Sequence, residues 1–142
     1  MQLSTGNDMQ NNLRVVLDTN IFVSGLLFGG KPRALINLAR AKKIQAVSSL
    51  PLLAELAYVL HNKFDFDEKK IKLYLSKLEK ILDIVYPEKK IKVLRDEPDN
   101  RVLEAAVTGK CNYIITGDRE LLNLKKFRRV RILTTTEFLN PY

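Results

Sequence analysis

Two acidic residues, Asp18 and Asp118, follow short apolar segments that lie far apart in the chain. Asp18 comes directly after residues 13–17, and Asp118 follows residues 113–116 after one glycine. Apolar segments rich in β-branched residues are typical of buried strands in a parallel sheet. In open α/β sheets the carboxyl ends of the strands border the ligand crevice. The two segments therefore predict that negative charge gathers at one edge of a sheet.

Two further acids, Glu55 and Asp99, lie in predicted helices on the side that faces the core. Glu55 comes three residues after Leu52 and four before Val59, which both belong to the apolar stripe of their helix. Asp99 has a similar relation to Val102. A buried carboxylate is costly unless it is paired or bound to a metal. We expect Glu55 at the edge of its apolar stripe and Asp99 facing the sheet.

Carboxylates that share one crevice repel one another, and this repulsion raises their pKa values. A hard divalent cation is the obvious compensation, because Mg²⁺ and Mn²⁺ prefer oxygen ligands. The chain also carries a formal net charge of +8, and a basic surface attracts polyanions. An acidic metal pocket in a basic protein indicates a phosphodiester substrate, with metal-activated water as the attacking group.

Each acid also has a simpler interpretation. Asp18 and Asp118 can cap the helices that follow them. Asp96 and Asp99 can serve as N-cap and first-turn acids, which the helix dipole favours. Glu55 can pair with a lysine. Capping or surface pairing is the more common role for any one acid, so the shared site rests on their joint placement at strand ends and inward helix faces.

Lysine and arginine residues cluster in four short segments. A single cluster of this kind is usually a solvated helix end or loop. Together with an acidic pocket, the clusters predict contacts with the phosphates of a nucleic acid. They occupy residues 40–43, 68–70, 89–92 and 125–129.

Length and composition limit the class of protein. With 142 residues, 46% of them hydrophobic, we expect a flexible N-terminal tail over residues 1–12 and a single domain over residues 13–142. Cys111 is the only cysteine, so cysteine-based zinc sites and intrachain disulfides are excluded. We expect Cys111 to be a core residue and the protein to be cytoplasmic. No apolar run is long enough to cross a bilayer, so no membrane partner is expected.

Strand and helix patterns alternate along the chain. This alternation predicts the α/β class with a mainly parallel sheet. The predicted strands lie at residues 13–17, 44–47, 83–86, 113–116 and 130–133.

The motifs around the acids resemble those of the PIN domain. No single motif is specific, but their order and spacing are, and the similarity extends over residues 13–139. It is closest to the VapC-like toxins of bacterial and archaeal toxin–antitoxin systems. The segments that carry it are residues 15–20 (Val-Val-Leu-Asp-Thr-Asn), Glu55, residues 96–100 (Asp-Glu-Pro-Asp-Asn) and residues 113–118 (Tyr-Ile-Ile-Thr-Gly-Asp).

The resemblance implies a three-layer α/β sandwich with a five-stranded parallel sheet in the order 3-2-1-4-5. In that order the strands that end in Asp18 and Asp118 are neighbours. The resemblance also implies cleavage of single-stranded RNA that depends on Mg²⁺ or Mn²⁺. A cognate antitoxin protein is the implied partner, and a homodimer is compatible with the family.

The resemblance also assigns site residues. Asp96 is left open, as a further carboxylate near the metal or only a helix cap. The matching residues are Asp18, Glu55, Asp99 and Asp118 for the four catalytic and metal-binding acids, and Asn20 and Thr116 for polar positions beside the metal.

Other functions stay open at this point. One alternative is a PIN-like nuclease that acts on DNA or in RNA processing, although the short chain lacks the helical clamp of flap-type nucleases. Another is a nucleic-acid-binding module without turnover. A receiver domain would need an acid after its third strand and a lysine after its fifth. Asp83 is at the start of the predicted third strand rather than after it, and threonines follow the fifth, so this class is disfavoured.

Overall fold

A central sheet separates two layers of helices, and the structure, a computed structural model, describes this architecture over residues 13–140. The predicted tail, residues 1–12, lies outside the described residues. Within the described range, no helix combines the length and the apolar character needed to span a membrane. In chain order the elements are β1 (Arg14–Leu17), α1 (Thr19–Leu27), α2 (Gly30–Arg40), β2 (Gln45–Ser49), α3 (Leu50–Phe64), α4 (Glu68–Glu79), β3 (Leu82–Val85), α5 (Glu97–Thr108), β4 (Tyr113–Ile115), α6 (Arg119–Leu124), β5 (Lys126–Phe127), β6 (Val130–Leu133) and α7 (Thr135–Leu139).

The strands are arranged in the order β3-β2-β1-β4-β6-β5. The first five strands of this order pair in parallel, which confirms the predicted arrangement with β6 as its fifth strand. The predicted strand count was wrong in one detail, because β5 adds a short sixth strand antiparallel to β6. The basic segment at residues 125–129 folds into a hairpin in which Phe127 pairs with Val130. Two residues are too few to give a strand pattern in the sequence.

The two faces of the sheet pack against different helices. Successive residues of a strand point to opposite faces. Val15 and Leu17 belong to an apolar cluster with residues of α1, α2, α3 and α4. Val16 belongs to a second cluster, which includes residues of α5 and α6. Burial on both faces explains why residues 15–17 of β1 form a continuous apolar run rather than an alternating one.

Side-chain caps define where several helices begin. The Ser49 hydroxyl caps α3, and the Asp67 carboxylate caps α4. Thr134 and Glu137 form a reciprocal capping box at the start of α7. Ser49 is the last residue of β2 and Thr134 directly follows β6, so the chain changes from strand to helix within a residue or two at the carboxyl edge of the sheet.

Cys111 lies just before β4 and is buried. Burial raises the pKa of its thiol to about 12, so the sulfur stays protonated at neutral pH. The expectation of a core residue is therefore confirmed.

Candidate active site

The strand order places the ends of β1 and β4 side by side. Leu17 pairs with Ile115, and the backbone N–H of Asp18 donates to the Ile115 carbonyl at 3.0 Å. Asp18 is only 6% exposed. Asp18 and Asp118 therefore lie at the same edge of the sheet, as the sequence predicted.

Thr116 connects the two strand-end acids. Its hydroxyl donates to Asp18 Oδ2 at 2.7 Å and accepts from the backbone N–H of Asp118 at 2.9 Å. The other oxygen of Asp18, Oδ1, accepts from the backbone N–H of Thr19 at 2.7 Å. Burial raises the pKa of Asp18, these hydrogen bonds offset part of that rise, and the Asp118 charge adds to it. Thr116 thus fixes the orientation of a buried carboxylate.

Asp118 also caps α6. Its Oδ1 atom accepts from the backbone N–H groups of Glu120 at 2.8 Å and Leu121 at 3.3 Å. The simpler interpretation of Asp118 as a helix cap is therefore confirmed. Both capping bonds use the same oxygen, so capping and a role in the site are compatible.

Glu55 lies half-buried on α3 and has its partner on α1. The Thr19 hydroxyl donates to Glu55 Oε2 at 3.1 Å. Burial raises the pKa of Glu55, and the Thr19 hydrogen bond offsets part of this rise. The negative charges of Asp18 and Asp96 raise the pKa further. Glu55 therefore lies at the edge of the buried side of its helix, within the electrostatic reach of the other acids.

Asp99 lies in the first turn of α5 and is 5% exposed. Its Oδ2 atom has no hydrogen-bond partner among the described residues. Burial, followed by repulsion from Asp118 and Asp18, raises the pKa of Asp99 to about 7. A buried polar atom without a partner costs about 1–3 kcal/mol, and more when it is charged. The fold therefore buries a carboxylate oxygen that a bound cation would stabilise.

Asp96, Asp99 and Glu120 form an acidic group. Each offers a carboxylate oxygen, and these oxygens all lie within 4.8 Å of one another. Asp96 occupies the N-cap position of α5 but makes no side-chain capping hydrogen bond. Of the two roles that the sequence left open for Asp96, this geometry favours the further carboxylate.

Thr19 and Glu120 were not predicted as site residues. Thr19 directly follows the strand-end acid, and a hydroxyl at the start of α1 was the available signal. Glu120 comes two residues after Asp118, which places it in the first turn of a helix that begins at the same sheet edge. Asn20, in contrast, is exposed, and the hydrogen bonds that join this segment to Asp18 and Glu55 come from Thr19.

Buried polar side chains of α5 fix the loop that leads into it. The Asn100 side chain accepts from the backbone N–H of Leu94 at 2.9 Å and donates to the Leu94 carbonyl at 2.8 Å. Glu104 accepts from the backbone N–H of Ile91 at 2.8 Å. Asn100 and Glu104 are both buried. The loop between β3 and α5 therefore has a defined path, which holds Asp96 beside the site.

A comparison with protein families decides which family this chain represents. Residues 14–120 match the family model of the PIN domain. The chain belongs to the PIN domain family. PIN domains are generally nucleases, and PIN nucleases generally use divalent metal ions.

One protein is similar to this PIN domain in sequence, and two solved structures are similar to it in fold. Uncharacterized protein MJ1680 of Methanocaldococcus jannaschii is 29% identical over 143 residues, which covers 92% of each chain. A chain in the crystal structure of VapBC2 from Rickettsia felis, bound to a DNA fragment from their promoter, matches with a TM-score of 0.60 and 16% identity. That match covers 86% of this chain and 98% of the other. PAE2754 from Pyrobaculum aerophilum matches with a TM-score of 0.59 and 15% identity over 96% of both chains. At these identities the two structures show a shared fold.

The acids of this PIN domain fit a hard divalent cation. The donor atoms at the site are carboxylate and hydroxyl oxygens, without histidine or cysteine, and Mg²⁺ and Mn²⁺ prefer such ligands. The Asp99 Oδ2 atom, which has no hydrogen-bond partner among the described residues, would be stabilised by a bound cation. The short oxygen–oxygen distances among Asp96, Asp99 and Glu120 are compatible with binding one ion.

The pH dependence of stability should reveal the raised pKa of Asp99. This carboxyl has an ordinary pKa of 3.8 and a pKa of about 7 in the folded, metal-free protein. The folded state binds this proton more tightly than the unfolded state does. The protonated carboxyl therefore makes its full contribution to the free energy of unfolding below about pH 4, and this contribution is lost as the pH rises through about 7. Asp99→Asn has no carboxyl to titrate at this position, so the variant does not lose stability in this way. In chelator, the melting temperature of the variant minus that of the wild type should therefore increase between pH 4 and 7.

Asp65→Asn provides the control for the pH experiment. Asp65 is exposed and has a φ of 60°, a left-handed conformation that asparagine also tolerates. Its melting-temperature difference from the wild type should stay nearly constant with pH. A constant difference for Asp99→Asn as well would show that the Asp99 pKa is not raised.

Proposed function

We propose that this PIN domain is a metal-dependent endoribonuclease that cleaves single-stranded RNA and acts as the toxin of a toxin–antitoxin pair. The buried, partnerless carboxylate oxygen of Asp99, surrounded by other acids, is the observation that carries the metal-dependent part. The net charge of +8 favours a polyanionic substrate. An acidic crevice repels a phosphodiester unless a cation lies between them. The motifs shared with VapC-like proteins support the toxin role.

Each acid receives a role in this proposal. Glu55 binds a second ion or orients the attacking water, and its raised pKa suits a group that accepts a proton. Asp96 and Glu120 add negative charge beside Asp99. A bound divalent ion would lower the pKa of water and offset the charge that builds up on the phosphate. The acids proposed to hold Mg²⁺ or Mn²⁺ are Asp18, Asp99 and Asp118.

Thr116 and Thr19 act as positioning residues. Thr116 holds Asp18 through Oδ2, and Thr19 holds Glu55 through Oε2. Both threonines are buried, which limits competition from water for these hydrogen bonds. A site whose ligands are already oriented binds a cation without the cost of ordering flexible side chains.

The loop before α5 offers a contact for RNA close to the acids. Lys89, Lys90 and Lys92 are exposed on this loop, whose path is fixed by Asn100 and Glu104. The same loop leads directly to Asp96. We therefore assign these lysines to the phosphates that flank the cleaved bond, because lysine neutralises phosphate charge without reading sequence.

A cognate antitoxin protein is the proposed partner. The Rickettsia felis neighbour carries the name VapBC2 and was crystallised with DNA from their promoter. The likeness of fold, together with the VapC-like motifs, supports a similar partner for this chain. A homodimer and a cytoplasmic location stay predictions from the sequence.

Purified protein is expected to cut single-stranded RNA when Mg²⁺ or Mn²⁺ is present and to stop when EDTA is added. The experiment incubates the protein with a panel of unrelated RNAs and with single-stranded DNA of matching sequence, and the products are resolved on denaturing gels. Internal cuts in RNA identify an endoribonuclease, because an exonuclease releases mononucleotides from an end.

The other outcomes distinguish the alternatives. Cleavage of DNA but not RNA would assign the protein to a DNA nuclease. Binding of RNA without cleavage at any metal concentration would assign it to a binding module. Cleavage that continues in EDTA, or in Asp99→Asn as fast as in Asp65→Asn, would contradict a role for the acidic site.

A further inference from the structure

A cavity of about 690 Å³ lies at the end of the sheet opposite the acids. It is lined by residues that precede β4, by the β5–β6 turn and by the start of β6. The acids follow the carboxyl ends of β1 and β4, whereas this cavity borders the amino ends of β4 and β6. Its volume falls in the range of roughly 300–1,000 Å³ that is typical of small-ligand sites.

All four charged residues that line this basic cavity are positive. Lys110, Arg128, Arg129 and Arg131 are each exposed. The ion pairs found among the described residues involve none of them. Four cations around one concave surface repel one another, and an anion in the cavity would relieve that repulsion.

Arg128 adds an independent observation. It has a φ of 55° in the two-residue turn between Phe127 and Val130. Glycine is the favoured residue in such turns, because the left-handed conformation is costly for other residues. The guanidinium lies over the Phe127 ring, 5.0 Å from its centroid, which holds the charge at the rim of the cavity. A charged side chain therefore stands at a turn position that glycine would adopt more easily.

We propose that the basic cavity binds the phosphate group of a nucleotide, as a second nucleic-acid contact separate from the acidic site. Arginine presents two parallel N–H donors that match phosphate oxygens. The phosphate comes from the RNA strand or from a free nucleotide. Only the RNA source rests on the proposed function.

The distance along the sheet separates this contact from the cleavage site. Tyr113 lines the cavity and Thr116, three residues further on, contacts Asp18; since a parallel strand rises about 3.3 Å per residue, about 10 Å lies between these two positions. One phosphate cannot reach both the cavity and the acids. An RNA that occupies both would have to extend from one end of the sheet to the other.

Two charge-matched double variants test the basic cavity. Arg129→Gln/Arg131→Gln removes two positive charges from its lining. Lys77→Gln/Lys80→Gln removes two at exposed residues in and just after α4, outside the lining and outside the four basic clusters. Affinity for adenosine 5′-monophosphate and for a short single-stranded RNA is measured in EDTA, so that binding does not depend on cleavage. The arginine pair should weaken nucleotide binding by about tenfold, and the lysine pair should change it little.

The salt dependence of RNA binding distinguishes the two phosphate sources. If the RNA strand occupies the cavity, the arginine variant should reduce the salt slope by about 1.4, since each lost phosphate contact contributes about 0.7 for single strands. If only free nucleotide binds there, nucleotide affinity falls and the RNA slope is unchanged. Either result supports a phosphate site.

Arg128→Gly tests the basic cavity with a variant that is expected to fold. Glycine relieves the left-handed conformation at this turn, so the melting temperature should stay equal or rise. Nucleotide affinity should nevertheless fall, because one charge of the cavity is lost. A weaker binder that is at least as stable as the wild type cannot be explained by unfolding.

Three results would overturn the phosphate site. Equal weakening by the arginine and lysine pairs would indicate a general effect of surface charge. Unchanged affinity in the arginine pair would show that the cavity does not bind the nucleotide. Binding of a polyglutamate peptide at this cavity without nucleotide binding would assign it to an acidic protein segment. Absence of RNA cleavage alongside intact phosphate binding would reject only the nuclease proposal.

Discussion

Asp99→Asn is expected to slow RNA cleavage by about a hundredfold or more while making the metal-free protein more stable near pH 8. The amide keeps the size of the carboxyl but carries no charge to offer a cation. It also removes a buried negative charge whose Oδ2 has no partner among the described residues. Opposite signs for activity and stability are expected where a residue serves function rather than folding.

The measurement compares cleavage rates with Mn²⁺ at saturating protein and melting temperatures in EDTA. Asp65→Asn is the matched control, because it makes the same chemical change at an exposed residue. Its rate and stability should equal those of the wild type. If Asp99→Asn cleaved RNA at the control rate, Asp99 would not belong to the catalytic site.

Glu55→Gln is expected to lower the cleavage rate by a similar factor, about a hundredfold or more, with only a small change in melting temperature. The glutamine side-chain oxygen can still accept the hydrogen bond from the Thr19 hydroxyl, so the local structure should persist. An amide can neither take a proton from water nor supply negative charge to an ion. The loss would therefore reflect chemistry rather than folding.

Glu79→Gln is the control for Glu55→Gln, because Glu79 is an exposed glutamate at the end of α4. It should leave both cleavage and stability unchanged. Near-wild-type cleavage by Glu55→Gln would remove Glu55 from the site and leave the cluster around Asp18, Asp99 and Asp118. A large fall in its melting temperature would show instead that Glu55 is a structural acid.

Much of the sheet and the position of the strand-end acids could be predicted from the sequence, because strands buried on both faces consist of consecutive apolar residues. Residues 15–17 of β1 form a continuous apolar run that ends at Asp18, and β4 repeats this arrangement before Asp118. The PIN-like motifs supplied the strand order, which no local pattern contains. β5 was not predictable, because two residues in a basic turn produce neither periodicity nor an apolar run.

The hydrogen bonds that organise the site could not be predicted, because they join residues distant in sequence. Thr116 bonds to Asp18 across 98 positions, and Thr19 bonds to Glu55 across 36. These contacts exist only after the sheet has brought β1 beside β4. The position of Glu120 could not be predicted for the same reason, because its oxygen approaches Asp96 and Asp99 only when α5 lies near α6.

In the structure, a helix-capping position and a place in the acidic site can belong to the same residue. Asp118 caps a helix and still lies at the shared sheet edge, so the two roles coexist. Asp96 stands at a cap position without capping, which frees its carboxylate for the acidic group. A helix-capping signal at a strand end therefore does not argue against a metal site.

The melting temperature with and without Mn²⁺ is the most direct test of a shared metal site. An ion that binds only the folded protein stabilises it by about 2.7 kcal/mol at a hundred times its dissociation constant, so the wild type should melt at a higher temperature with Mn²⁺. Asp18→Asn/Asp118→Asn keeps side-chain oxygens for the Thr19 and Glu120 hydrogen bonds but removes two charges. This double variant should show almost no response to Mn²⁺. An equal rise in both proteins would contradict a metal site formed by these acids.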